Sequence, residues 1–132
     1  MEDHNYKDLA MVRLQRAEEL LEEAKSLLNN DAYKSANNRA SYCVEKCMNA
    51  LLAVKKVQAK THNGCLKQFN ILYILDGNGD FTTSDYSIAS QMEHIRNASD
   101  YDDFYIANKE ESAEQIKNAI YFYEKTKKYL LK

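Results

Sequence analysis

The segment that decides the fold is residues 36–54, ANNRASYCVEKCMNALLAV. Small and apolar residues recur in it at helical spacing and define one face of a helix. These residues are Ala36, Ala40, Cys43, Cys47, Leu51 and Val54. Because alanine and cysteine are small, a neighbouring helix can approach this face closely. We therefore predict that this segment is the central helix of an all-α fold.

A similar pattern lies upstream of the central helix. Residues 5–28 carry an apolar stripe on alternating steps of four and three, which predicts an amphipathic helix. Asn29-Asn30-Asp31 then interrupts the pattern. Short polar side chains can accept hydrogen bonds from the free amides at a helix start, so we expect this break to cap the central helix.

Three further helices are predicted downstream. One spans about residues 64–75, and the next begins after Thr82 or Thr83 and frays near Asp100. The last begins at Asn108, which forms a capping-box pattern with Glu111. The apolar residues of this last helix that we expect to face inward are Ala113, Ile116, Ile120, Tyr123 and Leu130.

The composition supports one helical domain. The chain has 132 residues, no proline and three glycines, all between residues 64 and 79. Proline and glycine break helices, so long uninterrupted helices are possible on both sides of this middle region. The length suits a single core. We predict one domain over residues 1–132, an up-and-down bundle of about five helices.

The charge and the cysteine content disfavour several classes of protein. A net charge of −2 disfavours a protein that holds duplex nucleic acid by a broad positive field. The three cysteines are odd in number and no secretory segment precedes them, so we interpret them as reduced, buried residues. No apolar run approaches the length of a membrane span. These features predict a cytoplasmic protein without a membrane segment.

The main site candidate is the segment from residue 93 to residue 105, EHIRNASDYDDFY. It places an arginine, several acids and several aromatic residues where a helix should end. Arg96 and Asp100 are four apart and share a helix face, whereas His94 and Arg96 point to nearly opposite sides. As a residue near a helix end, Arg96 is expected to lie outside the core.

Three blocks of sequence resemble an HEPN domain of the small stand-alone prokaryotic type with an Arg…Asp-Tyr signature. They are the segment just described, the turn Lys60-Thr61-His62-Asn63-Gly64, and the start of the last helix at residues 108–114. The resemblance runs from about Arg39 to the C-terminus. It implies a dimeric helical bundle that accompanies a small nucleotidyltransferase in prokaryotic toxin–antitoxin-like pairs.

The chain departs from the nuclease-active members of that family. In those domains an arginine is followed four to six residues later by a histidine, and the dimer cleaves RNA without a metal ion. Here Arg96 matches the arginine, but Tyr101, Asp102 and Asp103 occupy the histidine positions. Histidine is the side chain best suited to proton transfer near neutral pH. The resemblance therefore favours binding of a nucleotide or an RNA phosphate over catalysis.

Other residues complete the candidate site. Arg39 and Asn38 precede Tyr42 in the central helix, and Arg39 could form an anion pocket with Arg96; alternatively, they lie on a solvated helix face. His62 could supply a proton or contact phosphate, but a histidine at a helix start is more often a cap or structural partner. The predicted ligand-binding residues are Arg96, Arg39, Asn38, His62, Asp100 and Tyr101.

We predict no metal site and no cofactor. The loop Asp76-Gly77-Asn78-Gly79-Asp80 opens like a calcium loop, but Phe81 and Ser87 occupy the positions that need glycine and glutamate. Cys43 and Cys47 share a helix face, but no second pair of ligands has suitable spacing.

Three functional hypotheses remain open from the sequence. The first is a homodimeric module that binds a nucleotide, an RNA phosphate or a nucleotidyltransferase partner. The second is a metal-independent endoribonuclease in which Tyr101 or His62 replaces the missing histidine. The third is a structural adaptor without a small ligand. The homodimer is expected because tyrosine and phenylalanine, which are common at interfaces, crowd the last two helices.

Overall fold

The structure, a computed structural model, describes the backbone of residues 3–132 and the side chains from residue 5; Met1 and Glu2 lie outside the described residues. Its five α-helices confirm the all-α bundle. They are α1 (Asp3–Asn29), α2 (Tyr33–Val54), α3 (His62–Phe69), α4 (Thr83–Tyr101) and α5 (Lys109–Leu130). A π-helical segment, Asn70–Leu75, continues α3. Among residues 3–132, no helix is long and apolar enough to cross a bilayer.

Helix α2 is the central element, as predicted. It packs against α1, α3, α4 and α5. The small residues on its predicted face are buried, which allows these neighbours to approach closely. The three cysteines are buried and free, which confirms that interpretation. Burial raises the pKa of the Cys65 thiol to about 12, so this group remains a neutral thiol.

The turn between α1 and α2 differs from the prediction. The residue that precedes α2 is Ala32, and no side chain caps this helix. Asp31 instead adopts a left-handed backbone with φ of 59°. The amide of Ala32 donates to the carbonyl of Leu27 at 2.9 Å and that of Asp31 to Leu28 at 3.0 Å. The polar break therefore closes the end of α1 as a Schellman motif.

The start of α4 carries a complete capping box. The side chain of Thr82 accepts from the amide of Asp85, and the Asp85 carboxylate accepts from the amide of Thr82. At α5, Asn108 accepts from the amide of Glu111 at 2.8 Å, which confirms Asn108 as the cap. The reciprocal half of the predicted capping box is not formed, because Glu111 Oε1 has no hydrogen-bond partner among the described residues. These caps fix the first turns of α4 and α5.

Thr82→Ala is expected to lower the free energy of unfolding by about 1 kcal/mol, because it removes the acceptor for one free helix amide. Chemical denaturation of purified protein measures this change. Thr83→Ala is the matched control, because Thr83 is the exposed first residue of the helix rather than its cap. Equal losses in both variants would contradict the capping role.

The inward face of α5 is only partly as predicted. Ile116 and Tyr123 are buried, and Leu130 is half-buried against the core. Ala113 and Ile120 are exposed, so their expected inward position is wrong. The buried face also includes small and polar residues that apolar periodicity overlooks. These are Ser112, Gln115, Ala119 and Thr126, together with Phe122.

Candidate functional site: a polar cluster around Arg96

Arg96 is the centre of a polar cluster that joins α4 to α2 and α3. Its side chain is only 3% exposed, so the expectation that it lies outside the core is wrong. Helix geometry explains the burial: Glu93 lies one turn before Arg96 and Asp100 one turn after it, on the same face. Two carboxylates thus accompany the guanidinium into the protein, which a buried cation requires.

Among the described residues, Arg96 donates hydrogen bonds only to acceptors on α4. One terminal nitrogen donates to Asp100 Oδ2 at 3.1 Å, which confirms the predicted contact. The other donates to Glu93 Oε1 at 2.7 Å and to Asn97 Oδ1 at 2.8 Å. Burial alone would lower the pKa of Arg96, but hydrogen bonding and the charge of Glu93 raise it above its usual value. Arg96 is therefore a fixed cation whose two terminal nitrogens are already occupied.

Asn38 and Arg39 extend this cluster across α2 toward α1. Asn38 Nδ2 donates to the two oxygens of Asp100 at 3.1 and 3.0 Å. Arg39 donates from Nη1 to Asn38 Oδ1 at 2.6 Å and from Nε to Glu23 Oε1 at 3.3 Å. The side chains of Asn38 and Asp100 thus lie between the two arginines, and each guanidinium already holds a carboxylate.

His62 joins the cluster from the start of α3. Thr61 caps this helix by accepting from the amide of Gly64 at 2.9 Å, which sets the direction of the first turn. His62 Nδ1 is hydrogen-bonded to Glu45 Oε1 and lies 3.8 Å from Glu93 Oε1. The side chain of His62 remains 41% exposed. The fold therefore places His62 next to Glu93, the carboxylate that pairs with Arg96.

The aromatic ring of Tyr42 contacts both the Arg96 guanidinium and the His62 ring. Its centroid lies 5.2 Å from the Arg96 guanidinium carbon, within the range of a cation–π interaction. The His62 ring lies 5.8 Å away on a tilted plane. Tyr42 therefore contacts the cluster through its ring and supplies no hydrogen bond to Arg96. Because this contact is not a polar one, the spacing of polar residues in the sequence does not predict it.

Two candidates from the sequence lie outside the cluster. Tyr101 is 78% exposed at the end of α4, and His94 is exposed on the same helix. Tyr101 is the last residue of α4, and two further exposed apolar residues follow it in the loop. Phe104 is 93% exposed and Ile106 is 84% exposed. We call these three residues the apolar loop.

The backbone of the apolar loop is ordered by local contacts. Asp102 Oδ1 accepts from the amide of Phe104 at 2.9 Å, and its carbonyl accepts from the amide of Tyr105 at 3.1 Å. The Tyr105 hydroxyl lies 3.5 Å from Asn37 Nδ2, which also donates to Ser99 at 3.1 Å. Tyr105 is therefore turned inward, and its two neighbours are turned outward.

The cluster carries more negative than positive side chains. Arg39 and Arg96 are accompanied by four carboxylates, those of Glu23, Glu45, Glu93 and Asp100. A phosphate that approached Arg96 would have to displace Asp100 and overcome the remaining negative charge. In the part of the chain that the structure describes, no group of three or more His, Cys, Asp or Glu side chains could hold a metal ion.

Sequence reasoning missed three carboxylates of the cluster, those of Glu93, Glu45 and Glu23. Glu93 could have been found, because it lies three positions before Arg96 on one helix face. Glu45 and Glu23 could not, because only tertiary packing brings them to His62 and Arg39.

Comparison with known proteins identifies the family. The HEPN domain model matches residues 10–129. The protein "Putative toxin MJ0142" of Methanocaldococcus jannaschii is 32% identical over 118 residues, which are 89% of this chain and 79% of that protein. "Putative toxin MJ0605" of the same organism is 38% identical over 61 residues, 46% of each chain. A "UPF0332 protein" of Thermotoga maritima is 39% identical over 62 residues, 47% of each chain. The chain belongs to the HEPN domain family.

Proposed function

We propose that this chain is the non-catalytic HEPN member of a toxin–antitoxin-like pair and that it acts by binding a partner protein, a nucleotidyltransferase. Family membership and the toxin names of two relatives support the toxin–antitoxin-like setting. The nucleotidyltransferase partner follows from the resemblance to stand-alone prokaryotic HEPN domains.

The observation that carries this proposal is that both terminal nitrogens of Arg96 are already engaged by side chains of its own helix. Its terminal nitrogens are bonded to Glu93, Asn97 and Asp100. No histidine follows Arg96 in the chain. Cleavage of a phosphodiester needs a proton acceptor and a donor to the developing charge, and these contacts supply neither in free form. The cluster instead holds the last turn of α4 against α2.

The apolar loop is the surface proposed for the partner. Tyr101, Phe104 and Ile106 are large apolar side chains that leave most of their area in water. Clusters of this kind mark protein interaction sites in soluble proteins. Because the Arg96 cluster fixes the end of α4, it would present this loop in one orientation and reduce the entropy lost on binding.

We predict that replacing both Phe104 and Ile106 with alanine weakens binding to the proposed nucleotidyltransferase partner by at least tenfold, since buried apolar anchors contribute about 2 kcal/mol or more each. Calorimetric titration of the two purified proteins measures the change. Val12→Ala is the control, because Val12 is an apolar side chain that is 66% exposed on α1 rather than in the loop. Unchanged affinity in the double variant would reject the loop as the docking surface.

Binding of a nucleotide or RNA phosphate is the second part of the proposed function. Arg39 is 39% exposed, and Asp100, at 22%, could move away from Arg96 to admit an anion. Arg96 Nε is buried and has no hydrogen-bond partner among the described residues, so one donor is still available. Because carboxylates surround both arginines, such binding would be weak and would decrease further with added salt.

One observation favours an endoribonuclease as the alternative function. The His62–Glu45 pair resembles a proton acceptor held in orientation by a carboxylate, and it lies beside the Glu93–Arg96 pair. In that reading His62 would take the place of the missing histidine.

An RNA-cleavage assay separates the two functions. We predict that the pure wild-type protein binds single-stranded RNA weakly and does not cut it, because its Arg96 is already neutralised. His62→Gln, which keeps a polar side chain of similar length, should leave this result unchanged. Cleavage by wild-type protein that is lost in His62→Gln would overturn the non-catalytic proposal and establish the ribonuclease.

A further inference from the structure

The end of α5 is rich in lysine, although the chain as a whole has a net charge of −2. Residues 125–132 contain four lysines and no acidic residue. Three of these lysines line a groove of about 410 Å³ between the end of α5 and the loop that precedes α4. The residues that line the groove are Asp80, Phe81, Lys125, Lys128, Tyr129 and Lys132. We call these six residues the lysine groove.

The aromatic rings of the lysine groove hold two of its lysines in place. Lys125 Nζ lies 5.3 Å from the centroid of the Phe81 ring, and Lys132 Nζ lies 5.5 Å from the centroid of the Tyr129 ring. The two rings contact each other, with their centroids 5.6 Å apart. Such cation–π contacts restrict the lysine side chains before any ligand arrives. A side chain that is restricted in advance loses less entropy on binding.

The acidic residues near the groove do not balance its lysines. Lys125 pairs with Asp85 and Lys132 pairs with Asp80, whereas Lys128 forms no ion pair within the described residues. The side chain of Asp85 is fully buried and is not part of the groove lining. The groove itself therefore carries three ammonium groups and one carboxylate.

We propose that the lysine groove binds the phosphate chain of a nucleotide. Lysine binds phosphate as a point charge, and a chain of two or three phosphates carries enough negative charge to engage several lysines at once. The volume of the groove is in the range of small-molecule sites, which suits one nucleotide. This inference goes beyond the function proposed above, because it depends neither on Arg96 nor on a partner protein.

The lysine groove is separate from the Arg96 cluster. Asp85, which pairs with Lys125, lies in the first turn of α4, and Arg96 lies about 16 Å further along this helix at 1.5 Å per residue. The balance of charge also differs between the two places. The Arg96 cluster has four carboxylates for two arginines, whereas the groove has one carboxylate for three lysines. A phosphate is therefore attracted more strongly to the groove.

A titration followed by amide NMR spectra tests the assignment. At about 10 mM salt, where charges are weakly screened, sodium tripolyphosphate and magnesium-free ATP should each bind with a dissociation constant below about 1 mM. Both should shift the amide signals of residues 76–82 and 125–132. Adenosine, which lacks phosphate, should shift none of them. Raising the salt to about 150 mM should weaken the binding of tripolyphosphate at least threefold, because the contacts are electrostatic.

Two variants should change the affinity for tripolyphosphate in opposite directions. Lys128→Gln/Lys132→Gln should weaken binding by about tenfold or more, because it removes two of the three positive groups. Asp80→Asn should strengthen it by about threefold, because it removes the carboxylate that repels the phosphates. Lys109→Gln/Lys117→Gln is the control: it makes the same change in net charge at exposed positions of α5 outside the groove, so the affinity should stay within about twofold. Circular dichroism checks that every variant is folded.

The same titrations contain the results that would overturn the proposal. One is binding weaker than about 1 mM, and another is an equal loss of affinity in the two double-lysine variants, which would show attraction to net charge alone. Binding that is lost in Arg39→Gln, with shifts at residues 93–100, would place the phosphates at the Arg96 cluster and would support the function proposed above. Single-stranded RNA that binds the groove more than about tenfold tighter than ATP would make it a site for a nucleic-acid strand.

Discussion

Replacing Arg96 with alanine is expected to lower the free energy of unfolding by about 3–5 kcal/mol, the cost of removing one partner from a buried ion pair. The substitution leaves the carboxylate of Glu93, 10% exposed, without the cation that accompanies it into the protein. Asp100 would keep Asn38 and partial access to water. The loss should therefore come mainly from the unpaired charge of Glu93.

Urea denaturation of the wild type and the variant measures this effect. Arg16→Ala is the matched control: Arg16 also contacts two carboxylates, those of Glu19 and Glu23, but its side chain is 48% exposed. That control should lose no more than about 1 kcal/mol, as usual for surface pairs. Similar small losses in both variants would show that Arg96 is not a structural cation. Any RNA-binding experiment on Arg96→Ala must accordingly include a measurement of folding.

Lys125→Met is expected to lower the free energy of unfolding by about 2–3 kcal/mol, because it leaves a buried carboxylate without its charged donor. The side chain of Asp85 is fully buried, and Lys125 Nζ donates to its Oδ2 at 2.6 Å. Methionine keeps the aliphatic length of lysine, so packing changes little. Lys132→Met is the control. The side chain of Lys132 is 60% exposed, so its ion pair with Asp80 should contribute little to stability.

The same pair makes stability depend on pH. Burial by itself would raise the pKa of the Asp85 carboxyl, but hydrogen bonds from Lys125, Tyr121 and the Thr82 amide together lower it below its usual value. The unfolded state therefore binds this proton at a higher pH than the folded state. The stabilisation is present above about pH 4, the usual aspartate pKa, and is lost as the pH falls through the lower folded pKa.

Denaturation series from pH 7 to pH 2 measure this dependence. Asp85→Asn removes the titrating group, so its stability should fall less steeply below pH 4 than that of the wild type. Parallel pH profiles for the two proteins would contradict a lowered pKa of Asp85.

The sequence by itself determined the class of fold and the position of its helices. The absence of proline, the confinement of glycine to residues 64–79 and the apolar spacing of residues 36–54 were enough for an all-α bundle with α2 at its centre. These signals are local: each follows from the geometry of one helix and from the residues that break it. The contact between Arg96 and Asp100 was predictable for the same reason.

The face that each helix turns inward was less certain from the sequence. On α5, apolar spacing placed Ile120 and Ala113 in the core, whereas the bundle buries Ser112, Gln115 and Thr126. Thr126 can be buried because its hydroxyl donates to the carbonyl of Phe122 at 2.8 Å. A polar residue whose hydrogen bond is satisfied by its own helix is compatible with a core, and a count of apolar residues does not reveal this.

Only the tertiary structure decided the composition of the polar cluster. Glu45 and His62 are 17 residues apart, Asn38 and Asp100 are 62 apart, and their contacts depend on how α2, α3 and α4 pack. The burial of Arg96 has the same origin, because a cation can leave water only where packing supplies carboxylates and an aromatic ring around it. Helix periodicity is a property of neighbouring residues, whereas the charge balance of a site is set by residues that meet only after the chain has folded.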